Sequence, residues 1–240
     1  MNKLTKDLVD DSSFEFLSSY LNVDLRENKE SYKEIISTTK DIINNSLQKA
    51  KENLEQGNYK GSECAKEIAN LYDHVIKNYY KYLNANNYIS QNKTDFEKIA
   101  IIATGGYGRG KISPGSDIDL LFLMPFKKTA WAEGVTENLL YFLWDLGLKI
   151  GHASRNINEC LTLSAKDQTI TTSLLDARYI CGDREVKKVF DKKFRNTISK
   201  RSSKEFIDAK LEEREFRHIK EGQSRYLVEP NIKNGKVYLP

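Results

Sequence analysis

The sequence predicts an α+β protein: a small mixed β-sheet with helices packed on it and a helical hairpin ahead of it. Three observations carry that prediction. Apolar residues recur at helical spacing through the first part of the chain. Short β-branched runs then replace that period at 98–104, 117–124 and 149–156. Helical stretches separate the later runs, so the strands are close in sequence yet joined by crossovers.

Taken in order, positions 22–56 read as one long helix. Ile35, Ile36, Ile42, Ile43, Leu47 and Leu54 return about every 3.6 residues, with Lys and Glu between them. Gly57 and Gly61 bracket a turn. A second helix follows over 62–85, with Ala65, Ile68, Leu71, Tyr72, Val75, Ile76, Tyr79 and Tyr80 on its apolar face. Five of the thirteen tyrosines fall between Tyr72 and Tyr88, which suits packing. An Asn-rich loop from Asn84 to Asn92 ends the hairpin. After the strand at 98–104 and the strand at 117–124, a helix is expected over 129–146, with Trp131, Leu139, Leu140, Phe142, Leu143 and Trp144 facing the core. The third strand covers 149–156. Positions 164–181, 183–199 and 203–221 read as three further helices.

Composition narrows the function classes. The chain has 240 residues, 39% hydrophobic and 30% charged, with a mean hydropathy of −0.60. No apolar run approaches the roughly 20 residues that a membrane-spanning helix needs, and the first residues contain no apolar signal core. Cys64, Cys160 and Cys181 are odd in number and far apart, so neither a disulfide framework nor a zinc site follows. Each suits a core position, and a reducing, cytoplasmic setting is expected. The net charge of +4 hides an asymmetry: positions 1–96 hold 13 basic and 15 acidic residues, whereas 97–240 hold 25 and 19. A modest positive field in the second part suits an anionic ligand. A pI of 8.7 is too low to predict nucleic-acid binding. The basic run of Lys187, Lys188, Lys192, Lys193, Arg195, Lys200 and Arg201 reads as a solvated face. His74 and His218 stand among charged neighbours and suit the surface rather than a metal.

The most informative stretch runs from Gly105 to Asp119. Four glycines, Gly105, Gly106, Gly108 and Gly110, fall in six positions directly after a strand. Such a segment turns sharply and lets the backbone approach a ligand closely. A short helix starting at Gly106 would point free N–H groups at an anion, with Arg109 and Lys111 adding charge. The spacing is neither the GxGxxG dinucleotide fingerprint nor a P-loop. Asp117 and Asp119 follow, one residue apart at the start of a strand, so both carboxylates project from one face while Ile118 and Leu120 point to the core. Two adjacent carboxylates repel unless a cation lies between them. Oxygen-only ligands of this kind suit Mg²⁺, which takes one or two carboxylates plus phosphate oxygens. Glycines for a triphosphate, carboxylates for a metal and Ser116 beside them point to phosphoryl or nucleotidyl transfer.

Gly105-Gly106, ten residues, then Asp117-Ile-Asp119 in a hydrophobic strand resembles the signature of the polymerase-β-like nucleotidyltransferase superfamily. The blocks GGYGRGKISPGSDIDLLFL, LLYFLWDLGLKIGHASRNINECL, TTSLLDARYICGD and RYLVEPNIKNGK resemble, in order, the bacterial PII uridylyltransferase/uridylyl-removing enzymes. The likeness covers about 99–236; the first residues resemble that family only in being helical and in the same place. It implies a helical region at 1–93, a nucleotidyltransferase core at 94–165 and a truncated helical extension at 166–240. It also implies transfer of UMP from UTP to a tyrosine of a PII-type nitrogen-signal protein, with release of pyrophosphate. Gly105, Gly106, Gly108, Arg109 and Ser116 would bind the nucleotide, and Asp117 and Asp119 would hold Mg²⁺. A third carboxylate often serves in the superfamily, and Glu159 and Asp176 are the nearest acids. His152 and Arg155, in a Gly-His-x-x-Arg block, would contact nucleotide or order the site.

The family continues into a metal phosphohydrolase domain that removes UMP and then two sensing domains. No His-Asp doublet occurs in these 240 residues, and the tail from Asn234 to Pro240 departs from the family pattern in a way that suggests truncation. Two other functions therefore stay open: a stand-alone nucleotidyltransferase with another acceptor, and an inactive remnant that binds nucleotide or PII without turnover.

Overall fold

The computed structural model describes residues 8–21, 28–86, 97–199 and 203–220. A 3-10 helix, Asp11–Tyr20, precedes α1 (Lys29–Glu55) and α2 (Gly61–Ala85). Then come β1 (Ala100–Ala103), the single turn α3 (Gly105–Gly108), β2 (Ile118–Met124), α4 (Ala130–Asp145) and β3 (Ile150–Asn156). The rest is α5 (Ile157–Lys166), α6 (Gln168–Leu175), β4 (Arg178–Gly182), α7 (Arg184–Ile198) and α8 (Ser203–Lys220). The order β3-β2-β1-β4 makes one four-stranded sheet. β1 pairs antiparallel with both β2 and β4, whereas β2 and β3 run parallel. The expected α+β architecture, a small mixed sheet with flanking helices, is what forms.

Helix starts follow local chemistry. Asn28, Thr129, Asp167 and Asp183 each accept a backbone N–H of the first turn they precede, which satisfies donors the helix cannot. Asn156 and Glu159 close a reciprocal capping box at α5, with both bonds at 2.9 Å. Lys60 donates its backbone N–H to Glu63 Oε2 at 2.7 Å at the start of α2. The long helix expected over 22–56 is α1; its first positions, 22–27, lie outside the described residues, as do Tyr88, Lys200 and Arg201.

Strand alternation divides the core in two. Ile101, Ala103, Ile118, Leu120 and Phe122 join α1, α2 and α4 on one side. Tyr79 of α2 stacks on Phe142 of α4 there, with ring centroids 3.6 Å apart. Ala100, Ile102, Leu121 and Leu123 meet α5, α6 and α7 on the other side, through Cys160, Leu174, Phe190 and Phe194. The hairpin therefore shares a core with the sheet. Tyr72, Tyr79 and Tyr82 and all three cysteines are buried, as the sequence suggested.

Three expectations need correction. Positions 164–181 are not one helix, and the segment after 165 is not helical throughout. Asp167 caps a new helix, and Arg178–Gly182 leaves it as a strand that covers the open edge of β1. The run Tyr179-Ile180-Cys181 is apolar enough for either period, and the unpaired edge of β1 decides it. Gly182 then turns at φ +95°, where a Cβ would meet the Ile99 carbonyl oxygen at 2.3 Å. Trp144 is not a core residue: it is 43% exposed, edge-on to Tyr141 and His152. His74 is part-buried rather than a plain surface residue: with Lys77, Asn78 and Lys81 it holds the Asp11 carboxylate at 2.8–3.2 Å, strapping the 3-10 helix to α2. On α7, Lys188, Lys192, Lys193 and Arg195 are exposed as a solvated face, whereas the Lys187 side chain is 12% exposed, paired with Asp191 and set over the Phe190 ring.

Candidate active site

A cleft of about 420 Å³ opens between the β2–β3 edge and α6. Thr104, Gly105, Asp119 and Gly151 line one end, and Leu121, His152, Ala153, Arg155, Thr169, Ser173 and Leu174 are among the residues that line the remainder. β1 delivers Thr104 and the glycine turn. β2 delivers Asp119, and in the parallel register Gly151 of β3 lies beside it.

Asp119 is clamped between glycines. A Cβ on Gly105 would stand 2.9 Å from Oδ2, and one on Gly151 would stand 2.3 Å from Oδ1. Gly105 also holds φ +56°, a conformation that L side chains rarely adopt. A side chain on either glycine would push this carboxylate from where it stands. The Thr104 N–H donates to the Asp119 carbonyl at 3.0 Å, which fixes the turn to β2. Asp117 and Ser116 stand exposed in the loop just before β2.

The glycine turn is braced from behind by residues the sequence did not single out. Tyr107 is fully buried and donates its hydroxyl to Asp73 Oδ1 of α2 at 2.5 Å. Arg178 of β4 forks onto the same carboxylate through Nη1 and, at 3.0 Å, Nη2. It also donates to the Tyr107 carbonyl at 3.3 Å. Burial first, and then the Asp73 charge, push the Tyr107 phenol well above its ordinary value, so it is a donor at any working pH. Gly108 is buried against the next segment, where a Cβ would be 2.2 Å from the Asp176 carbonyl oxygen. The Asp176 side chain accepts from Arg109 Nη1 at 2.8 Å, and the same nitrogen reaches the Gly105 carbonyl at 3.5 Å. Residues 73, 107 and 178 carry no shared local signal. Tyr107 falls within the block GGYGRGKISPGSDIDLLFL, and Asp176 and Arg178 within TTSLLDARYICGD, whereas Asp73 falls in neither.

The structure thus gathers Gly105, Asp119 and Gly151, and sets Arg109 beside them against Asp176. It separates His152 from Arg155. By strand alternation Arg155 shares the face of Asp119, whereas His152 belongs to the opposite face, against Trp144. Glu159 is engaged in the α5 capping box and does not line the cleft. Among the described residues no group of three or more His, Cys, Asp and Glu side chains is arranged to hold a metal ion. The Asp119 carboxylate beside the glycine turn still suits a hard cation that takes other ligands from phosphate oxygens and water. Gly105 and Gly151 keep side-chain carbon away from the Asp119 carboxylate.

With this geometry in view, comparison with known proteins is specific. Residues 85–174 match the family model described as a nucleotidyltransferase domain. A protein of Phenylobacterium zucineum (strain HLK1), named bifunctional uridylyltransferase/uridylyl-removing enzyme, is 49% identical over 187 residues, which is 78% of this chain and 20% of that protein. One of Caulobacter vibrioides (strain NA1000 / CB15N), with the same name, is 47% identical over 187 residues, again 78% and 20%. The matched part spans about a fifth of the length of these relatives. Among the described residues no helix is long and apolar enough to cross a membrane.

Proposed function

We propose that this chain, which carries a nucleotidyltransferase domain, transfers UMP from UTP to a tyrosine of a PII-type signal protein. The observation that carries this reading is the Asp119 carboxylate clamped between Gly105 and Gly151 at the end of a nucleotide-sized cleft. The uridylyltransferase relatives support the choice of nucleotide, and the order of the sequence blocks supports the acceptor.

In this mechanism the turn at Gly105 and Gly106 receives the triphosphate, because a backbone without side chains lets phosphate oxygens approach closely. Asp117 and Asp119 would hold Mg²⁺, which when bound neutralises charge building up on the phosphates. Arg109, braced by Asp176, stands at the rim with a guanidinium 61% exposed and free to turn toward departing pyrophosphate. The Asp73, Tyr107 and Arg178 brace keeps the turn rigid, so the α-phosphorus can be presented in line to the tyrosyl oxygen. Three free, buried thiols fit a reducing cytoplasm as the setting.

The test is incubation of the chain with labelled UTP, Mg²⁺ and a PII-type protein. Label is expected on the acceptor with the wild type and lost with Asp117→Asn and Asp119→Asn. Labelling that persists unchanged in both variants overturns the metal pair, and label from ATP or GTP in preference to UTP overturns the nucleotide.

A further inference from the structure

The cleft has two ends of different chemistry. Gly105, Asp119 and Gly151 form the polar end. Beyond it the wall is Leu121, Ala153 and Leu174, and Arg155 stands past them on β3. Gly151 and Arg155 are four residues apart on one strand, so they project from the same face with a separation of about 13 Å. Arg155 is half-buried, and among the described residues its guanidinium takes part in no hydrogen bond or ion pair. Its fork of five N–H donors is therefore open to an acceptor on a bound ligand. Triphosphate oxygens do not supply it there, because an apolar wall is a costly bed for charge. That wall suits the flat face of a nucleobase, whose edge can hydrogen-bond beyond it.

We propose that Arg155 and the apolar wall beside it form the nucleobase subsite, with Arg155 donating to the O4 carbonyl oxygen of a uracil ring. This rests on the uridylyl-transfer reading and deepens it. Cytosine places an amino donor where uracil has a carbonyl oxygen, so it would set N–H against N–H. Arg155 is then the residue that selects UTP over CTP. Thr169 and Ser173 of α6 line the same cleft. Their hydroxyls can donate or accept, which suits the ring N–H or a ribose hydroxyl.

The test is equilibrium binding, by titration calorimetry with Mg²⁺, of UTP, CTP and inorganic tripolyphosphate to the whole chain and to Arg155→Gln and Arg155→Lys. The wild type should prefer UTP to CTP by about tenfold. Both variants should bring that ratio close to one and leave tripolyphosphate binding unchanged. Lysine keeps the charge and loses the fork, and it carries the test should the glutamine variant misfold. Parallel weakening of all three ligands overturns the inference in favour of a phosphate contact, and an unaltered UTP/CTP ratio in both variants also overturns it. A wild type that binds none of the three overturns the transfer reading as well. A wild type that binds tripolyphosphate and both nucleotides equally overturns the subsite alone.

Discussion

Gly151 lies so close to Asp119 that a Cβ built on it would stand 2.3 Å from the carboxylate oxygen Oδ1. The contact is with the end of a side chain, which can swing away. Gly151→Ala should therefore keep the fold, since alanine is accepted in a strand at least as well as glycine, and should push the carboxylate out of place. Displacement of about 1 Å at a reacting centre can cost about 100-fold. The expected outcome is a Tm close to the wild type and uridylyl transfer reduced by about that factor. A fully active Gly151→Ala protein would show that the clamp has no role.

Gly108→Ala should do the opposite. Its Cβ would meet a backbone oxygen, Asp176 O at 2.2 Å, and Ala103 O at 3.1 Å, neither of which can rotate away. Overpacking of a buried position costs about 1–3 kcal/mol, occasionally more. Chemical denaturation should show a lowered midpoint, with any loss of transfer following the loss of folded protein.

The Asp73, Tyr107 and Arg178 cluster predicts a link between the helical hairpin and the glycine turn. Tyr107→Phe removes the hydroxyl that Asp73 accepts and leaves the ring in place. A buried bond to a charged group contributes about 2 kcal/mol, and thermal melts should register a loss of that order. Arg178→Ala strips Asp73 of its fork and should destabilise more, by about 3 kcal/mol. Arg178→Lys should recover part of the stability, because charge returns without the bidentate geometry. Equal stability of Tyr107→Phe and wild type would remove the hydroxyl from the account.

Acid should loosen the 3-10 helix. Burial alone would raise the Asp11 pKa, but hydrogen bonds from Asn78, His74, Lys77 and Lys81 outweigh it and hold the carboxyl far below its ordinary range. A depressed folded value means that the stabilisation is fully present above the ordinary carboxylate value, about 4, and is lost as pH falls through the lower folded value. Asp11→Asn should melt below the wild type near neutral pH, and the gap should narrow below about pH 4. A gap that is constant with pH would exclude Asp11 as its source.

Much of this was legible in the sequence. Helical spacing in 29–55 and 61–85 located the hairpin, because each helix must bury one stripe and the stripe repeats about every 3.6 residues. Gly105 and Asp119 were singled out by a local pattern, a turn with no side chains followed by acidic residues, and both line the cleft, whereas Asp117 stands exposed before β2. The strand at Arg178–Gly182 was not legible. A short apolar run fits either period, and its state depended on the open edge of β1, some 75 residues earlier.

Helix and strand periods, the glycine turn and the placement of positive charge in the second part of the chain are local properties that the sequence carries alone. Tertiary structure decided what those residues meet. It set Gly151 beside Asp119, put Arg155 on the face of Asp119 and His152 against Trp144, gave Asp176 to Arg109, and brought Asp73, Tyr107 and Arg178 together from three distant positions. Sequence carries local periodicity, whereas contacts between elements are fixed by strand register and by which faces are left to bury, and neither can be read one segment at a time.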